Sequence, residues 1–178
     1  QQRVARHTGK PLLRWLREDA WPEEAKFSDR AFAEVAAQGF ARQQLAAGTV
    51  AGACWGSPHA SSLRAARAAG LRYSLIGPPV MTQGEPPSLV APLASCLEDL
   101  KALQIEFEEA LAVSPRFALS CDEQTLKELA RFAFDYTLWV QTHLAENQEE
   151  VAAVAKAFPQ APRYTHVYDQ AGLLTPRP

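Results

Sequence analysis

The period of apolar positions changes repeatedly along the chain. After Ser28, which is suited to capping, Phe32, Val35, Ala36, Phe40 and Leu45 recur at close to 3.6 spacing and predict a helix that ends at Gly48. The next stretch, "TVAGACW" (49–55), is short and apolar and reads as a buried strand. The alternation then repeats. An Ala/Arg-rich helix from Ser61 to Ala69 closes at Gly70, and "LRYSLIG" (71–77) is the second strand. A Gly/Pro loop leads to a helix from about Ser88 to Leu103, and "EEALAVSP" (108–115) is the third strand. Asp122 caps a helix to about Phe134, "TLWVQTH" (137–143) is the fourth strand, and Asn147 to Phe158 is helical. Before all this, residues 1–27 read as an irregular lead-in, in which the amphipathic piece Leu12, Leu13, Trp15 and Leu16 meets the breaker Pro22.

Strands alternating with helices are the signature of parallel βαβ units, because parallel neighbours need a crossover about as long as a helix. Two α/β architectures fit: a doubly wound open sheet and a (β/α)8 barrel. No strand is followed by GxGxxG or GxxxxGK[ST], which weakens a nucleotide-binding open sheet. A full barrel takes about 250 residues, so four units make roughly half of one. In both architectures ligands sit at the C-terminal ends of the strands.

Composition narrows the classes further. With 178 residues, 47% hydrophobic and 21% charged, the chain is globular and sized for one domain. A net charge of −2 gives no basic face, so neither nucleic acid nor an acidic membrane surface is an expected partner. No apolar run approaches the roughly 20 residues of a spanning helix. Cys54, Cys96 and Cys121 are scattered and form no CxxC, which argues against a disulfide framework and for a reducing cytoplasm. The chain starts at Gln1 and ends in "GLLTPRP", and both ends read as cuts in something longer.

Chemistry collects at the expected strand ends. The first gives His59, the second Met81, the third Arg116, Phe117 and Cys121, and the fourth His143 and Glu146. His143 could ligate a metal with Glu146 as its proton shuttle, or it could bond backbone while Glu146 sits in the favourable first turn of a helix. Arg116 could meet a carbonyl or ring nitrogen beside an aromatic, or pair with a carboxylate while Phe117 joins the core. His59 could orient a substrate or cap a helix. Nothing in the sequence activates Cys121.

Taken together and in order, "PLLRWLREDAWPEEAKF", "AAGTVAGACWGSPH", "SPRFALSC", "VQTHLAEN" and "YTHVYDQAGLLT" resemble the guanine deaminases of the amidohydrolase superfamily. The last three are similar to that family's T-P-R-F-x-x-x-C, Q-[ST]-H-x-x-E-N and Y-x-x-V-Y-D-x-x-x-L-L-T. The resemblance implies a (β/α)8 TIM-type barrel, with residues 1–178 its central part, about strands 2 to 5. Residues 1–27 would be the lead-in on the active-site side and 28–178 the βα units, with the flanking β-sandwich and other strands absent. It implies zinc, or iron in its place, and hydrolysis of guanine to xanthine and ammonia. His143 would be the metal ligand, Glu146 the catalytic shuttle, and Arg116, Phe117 and Gln1 the substrate contacts, with Gln2 an alternative register for Gln1. His59 and Met81 would line the site, and a homodimer is implied for the full-length form.

The match also has gaps. The family's H-x-H pair, a further His and a strand-end Asp have no counterpart, and "GPPVMTQG" carries Pro78 and Thr82 where the family has Lys and Asp. One imidazole falls short of the roughly three protein ligands a catalytic zinc takes, so the 178 residues alone are expected to be inactive. Two other readings stay open: an amidohydrolase acting on another aminopurine, a pterin or a chlorotriazine, and a non-catalytic barrel that binds a purine or a partner.

Overall fold

The computed structural model describes residues 9–56, 59–71 and 75–174, so Gln1 and Gln2 lie outside the described residues. From Leu12 onward the lead-in is helical rather than irregular. Helix α1 (Leu12–Trp15), a π turn (Leu16–Ala20), helix α2 (Trp21–Ala25) and a 3-10 turn (Lys26–Ser28) follow one another without a break. The N–H of Trp21 reaches back five residues to the Leu16 carbonyl. Pro22 then falls in the first turn of α2, where its missing N–H costs little, and so does not break the run.

Helix α3 (Arg30–Ala46) starts one residue later than the capping pattern predicted. The Asp29 side chain accepts from the Phe32 N–H, whereas the Ser28 hydroxyl donates back to the Ala25 carbonyl. Its inner face is also different. Ala33 and Ala41 are buried and Ala37 packs on the core, while Val35 is 71% exposed. This helix lies mainly against helix α4 (Ala60–Ala68), and small side chains allow that close approach.

The described strands are β1 (Ala53–Trp55), β2 (Leu75–Gly77), β3 (Pro79–Val80), β4 (Ala112–Pro115) and β5 (Trp139–Val140), and β1, β4 and β5 are shorter than the apolar runs that announced them. Strand β2 closes the second expected strand, and β3 is an addition just past Pro78, in the stretch expected to be a Gly/Pro loop. Strand β1 pairs with β2, β3 pairs with β4, β4 pairs with β5, and a bridge joins Ile76 to Leu111; every pairing is parallel. The order therefore follows the chain, without the reversal that defines a doubly wound sheet. At the tightest point, a Cβ on Gly77 would lie 2.1 Å from both the Ala112 carbonyl oxygen and the Ser114 hydroxyl.

Helix α5 (Leu93–Phe107) starts and ends later than expected, after Pro92 and a 3-10 turn at Pro87–Leu89. Helix α6 (Glu123–Asp135) is capped by Asp122 as predicted, and α7 (Gln148–Ala157) is capped by Asn147, which was expected as its first helical residue. Helix α8 (Tyr164–Gln170) was not expected. The core lies between sheet and helices, with Leu63, Leu100, Leu111, Val113, Leu126, Leu129 and Val154 almost fully buried. Each such side chain contributes about 1.5–3 kcal/mol. Strand β4 is buried along its whole length, as a central parallel strand covered on both faces should be. Among the described residues no helix is long and apolar enough to cross a membrane.

Candidate metal and substrate site at the strand ends

Beyond β5 the chain leaves the sheet through Gln141, Thr142 and His143. The Gln141 amide donates to the Cys54 carbonyl at 3.1 Å and to the Ser114 hydroxyl at 2.9 Å. Cys54 lies in β1, at the opposite edge of the sheet. Across a flat sheet, three strand intervals span about 14 Å, beyond the reach of a Gln side chain. The sheet therefore curls, as the wall of a barrel does.

That curl also brings Trp55 onto His143, with ring centroids 4.5 Å apart and planes 21° from parallel. The His143 backbone N–H and ring Nδ1 both meet the Arg116 carbonyl, at 3.2 and 2.7 Å. A carbonyl only accepts, so Nδ1 carries the proton and the lone pair of the neutral ring falls on Nε2. Tyr168 completes the seat by donating its hydroxyl to the His143 carbonyl at 2.8 Å. Burial pushes the Tyr168 phenol above its ordinary value and so keeps it a donor. An imidazole anchored through Nδ1 and open at Nε2 suits a metal ligand. Among the described residues, however, no three His, Cys, Asp or Glu side chains converge on a metal position. His143 fits as one ligand, and the described residues do not complete the set.

Glu146 follows a turn in which Ala145 takes a left-handed φ of 54°. Its side chain is exposed, and its backbone N–H donates to Glu150 Oε2 at 2.8 Å. Glu150 is fully buried, and its Oε1 accepts from the Tyr164 hydroxyl at 2.6 Å. The Tyr164 oxygen in turn accepts the Ala118 N–H at 3.4 Å. Desolvation, and then the bond to Glu150, push the Tyr164 phenol far above its ordinary value.

Arg116 begins the turn after β4, and its N–H donates to the Val80 carbonyl at 3.1 Å. The guanidinium pairs with Glu24 of α2 at 2.5 Å and lies 3.8 Å from the Met81 sulfur. Met81 and Phe117 are both buried. Pairing with a carboxylate and a buried ring belong to the structural alternative for Arg116 and Phe117, although a guanidinium keeps further donors beyond the Glu24 bond. His59 occupies the N-cap position of α4 without a side-chain cap bond, and its Nε2 donates to the Ser28 carbonyl at 3.0 Å. Cys121 is not activated. Burial pushes its thiol up to about 12, and it donates to the Val80 carbonyl.

The structure thus brings His143 against Arg116, and Arg116 against Met81. It adds four groups that the sequence did not flag: Trp55, Glu24, Glu150 and Tyr168. Trp55, Glu24 and Tyr168 do fall inside the stretches that resemble guanine deaminases, and the i, i+4 spacing of Tyr164 and Tyr168 sets both on one helix face.

Residues 1–177 match the model of the amidohydrolase family, and the chain belongs to that family. Within it, the chain is similar to guanine deaminases. It is 32% identical over 177 residues to guanine deaminase of Mus musculus, covering 93% of this chain and 38% of the relative. It is 32% identical over 186 residues to a probable guanine deaminase of Deinococcus radiodurans, covering 99% and 42%. Among solved structures, guanine deaminase from C. acetobutylicum with guanine bound in its active site superposes with a TM-score of 0.88 at 26% identity, over 95% of this chain and 42% of that one. The E. coli enzyme gives 0.85 at 29% identity, over 93% and 40%. The chain therefore spans about two fifths of the length of the relatives it matches.

Proposed function

We propose that these residues carry part of the active site of a metal-dependent deaminase that converts guanine and water to xanthine and ammonia. The observation that supports this most is the seat of His143. Its Nδ1 is committed to the carbonyl of Arg116, its Nε2 is open, and the same Arg116 belongs to the proposed purine contact. The likeness to guanine deaminases along nearly the whole chain supports the choice of substrate.

In this reading the whole protein is a (β/α)8 barrel, and the described strands correspond to about the second to fifth. His143 contributes one ligand through Nε2. The metal, zinc in our reading with iron as its substitute, supplies an acidified water when bound. Glu146 takes a proton from the attacking water and hands it to the purine ring nitrogen and then to the departing amine. Addition of the water oxygen to the amine-bearing carbon and loss of ammonia leave the second carbonyl of xanthine. Arg116 donates to the carbonyl that guanine already has, and Phe117 packs beside the purine. Gln1, outside the described residues, makes a further substrate contact, and Met81 and His59 line the site. Glu24 holds the Arg116 guanidinium in place. Homodimerisation and a cytoplasmic location belong to the same proposal.

Ammonia release from guanine, adenine and cytosine by the whole protein with added zinc tests this reading. Release from guanine well above the other two is expected. Binding of guanine without turnover would favour the non-catalytic alternative.

A further inference from the structure

We infer that Glu150 is a positioning residue for Glu146, holding the proton-shuttling loop against the turn that carries Arg116 and Phe117. The inference rests on the functional reading above and adds a residue to it. A buried carboxylate is costly unless its oxygens are matched, and both oxygens of Glu150 are matched here. Oε2 accepts the backbone N–H of Glu146 itself, at 2.8 Å, within the turn made by left-handed Ala145. Oε1 accepts the Tyr164 hydroxyl at 2.6 Å, and that hydroxyl receives the Ala118 N–H, one residue beyond Phe117. The Glu150 backbone N–H is in turn held by the Asn147 side chain at 2.8 Å. One buried side chain therefore joins the two catalytic loops without approaching His143 through any of these bonds.

Glu150→Gln keeps the shape but replaces one acceptor with an NH2 group, so it cannot satisfy both donors. The experiment uses the whole zinc-loaded protein. It measures kcat and KM for guanine, zinc content, and amide exchange over residues 144–147 in wild type, Glu150→Gln, Glu146→Gln and the double variant. Expected for Glu150→Gln are unchanged zinc, KM within about twofold and faster exchange at 144–147, with kcat lower by about ten- to a hundredfold. In the Glu146→Gln background, Glu150→Gln should cost nothing further, because the group it positions is already gone. An unchanged kcat in Glu150→Gln, or the same loss repeated in the double variant, overturns the inference. If Glu150→Gln does not fold, Tyr164→Phe leaves the Oε2 bond to Glu146 in place and removes the link from Oε1 through the Tyr164 hydroxyl to Ala118. A smaller fall in kcat at constant KM is then expected, and an unchanged kcat overturns the inference. A wild type that leaves guanine untouched defeats the functional reading itself, an outcome distinct from an active wild type with an unaffected Glu150→Gln.

Discussion

His143 is held by groups from distant parts of the chain: Trp55 at the end of β1, the Arg116 carbonyl after β4, and Tyr168 on α8. Together they fix the ring plane and its tautomer, so Nε2 needs no reorganisation to accept a ligand. Arg116 is held as firmly, by Glu24 across 92 positions of sequence. If Arg116 makes the proposed purine contact, Arg116→Ala in the whole protein should raise KM for guanine by about tenfold or more with a smaller change in kcat, because the proton path is left in place. Steady-state kinetics checks this, and an unchanged KM would count against the purine contact. The sequence marked His143, Arg116 and Glu146 as candidates through motifs that resemble guanine deaminases, because spacing alone left each with a structural alternative. Glu24 and Glu150 were not singled out. Each sits in a helical turn where an acidic residue is ordinary, and only the fold brings their partners to them.

Helices α6 and α7 were legible to within a residue or two; Asp122 announces the first as a cap, and the Asn147 side chain caps the second by accepting a helix N–H. The Asp122 carboxyl lies below the usual carboxylate range, chiefly through its hydrogen bonds from Thr125. A lowered folded pKa means that its stabilisation is complete above the unfolded value and disappears as pH falls through the folded one. Asp122→Ala should thus cost about 1 kcal/mol near neutral pH, and the difference from wild type should shrink in acid. Urea unfolding at two pH values reads both. The strands were less legible. Apolar runs of seven or so residues predicted them, but in the first, third and fourth only two to four residues keep ladder geometry, and β3 was not predicted. Gly77 marks the closest approach between β2 and β4. Gly77→Ala would drive a Cβ into the Ala112 carbonyl, where backbone cannot yield, and should destabilise by about 3 kcal/mol or prevent folding. Denaturant unfolding at wild-type stability would contradict that packing.

At the scale of the whole molecule, the sequential parallel order and the curl set by Gln141 and Trp55 distinguish a barrel wall from an open sheet. The alternation of periods in the sequence predicted the parallel units but left both architectures open, because curvature depends on side chains that meet across the sheet. The same curl places His143, Arg116 and the loop of Glu146 at one end of the sheet, where an α/β fold binds its ligands. The central claim is that this end deaminates guanine with Glu146 as the proton carrier. Its most direct test is xanthine formation by Glu146→Gln in the whole protein, with zinc content measured on the same sample. We predict unchanged zinc and a loss of about 10²- to 10⁴-fold in turnover, the usual range for a removed general acid–base group. Xanthine formation at the wild-type rate would contradict the account.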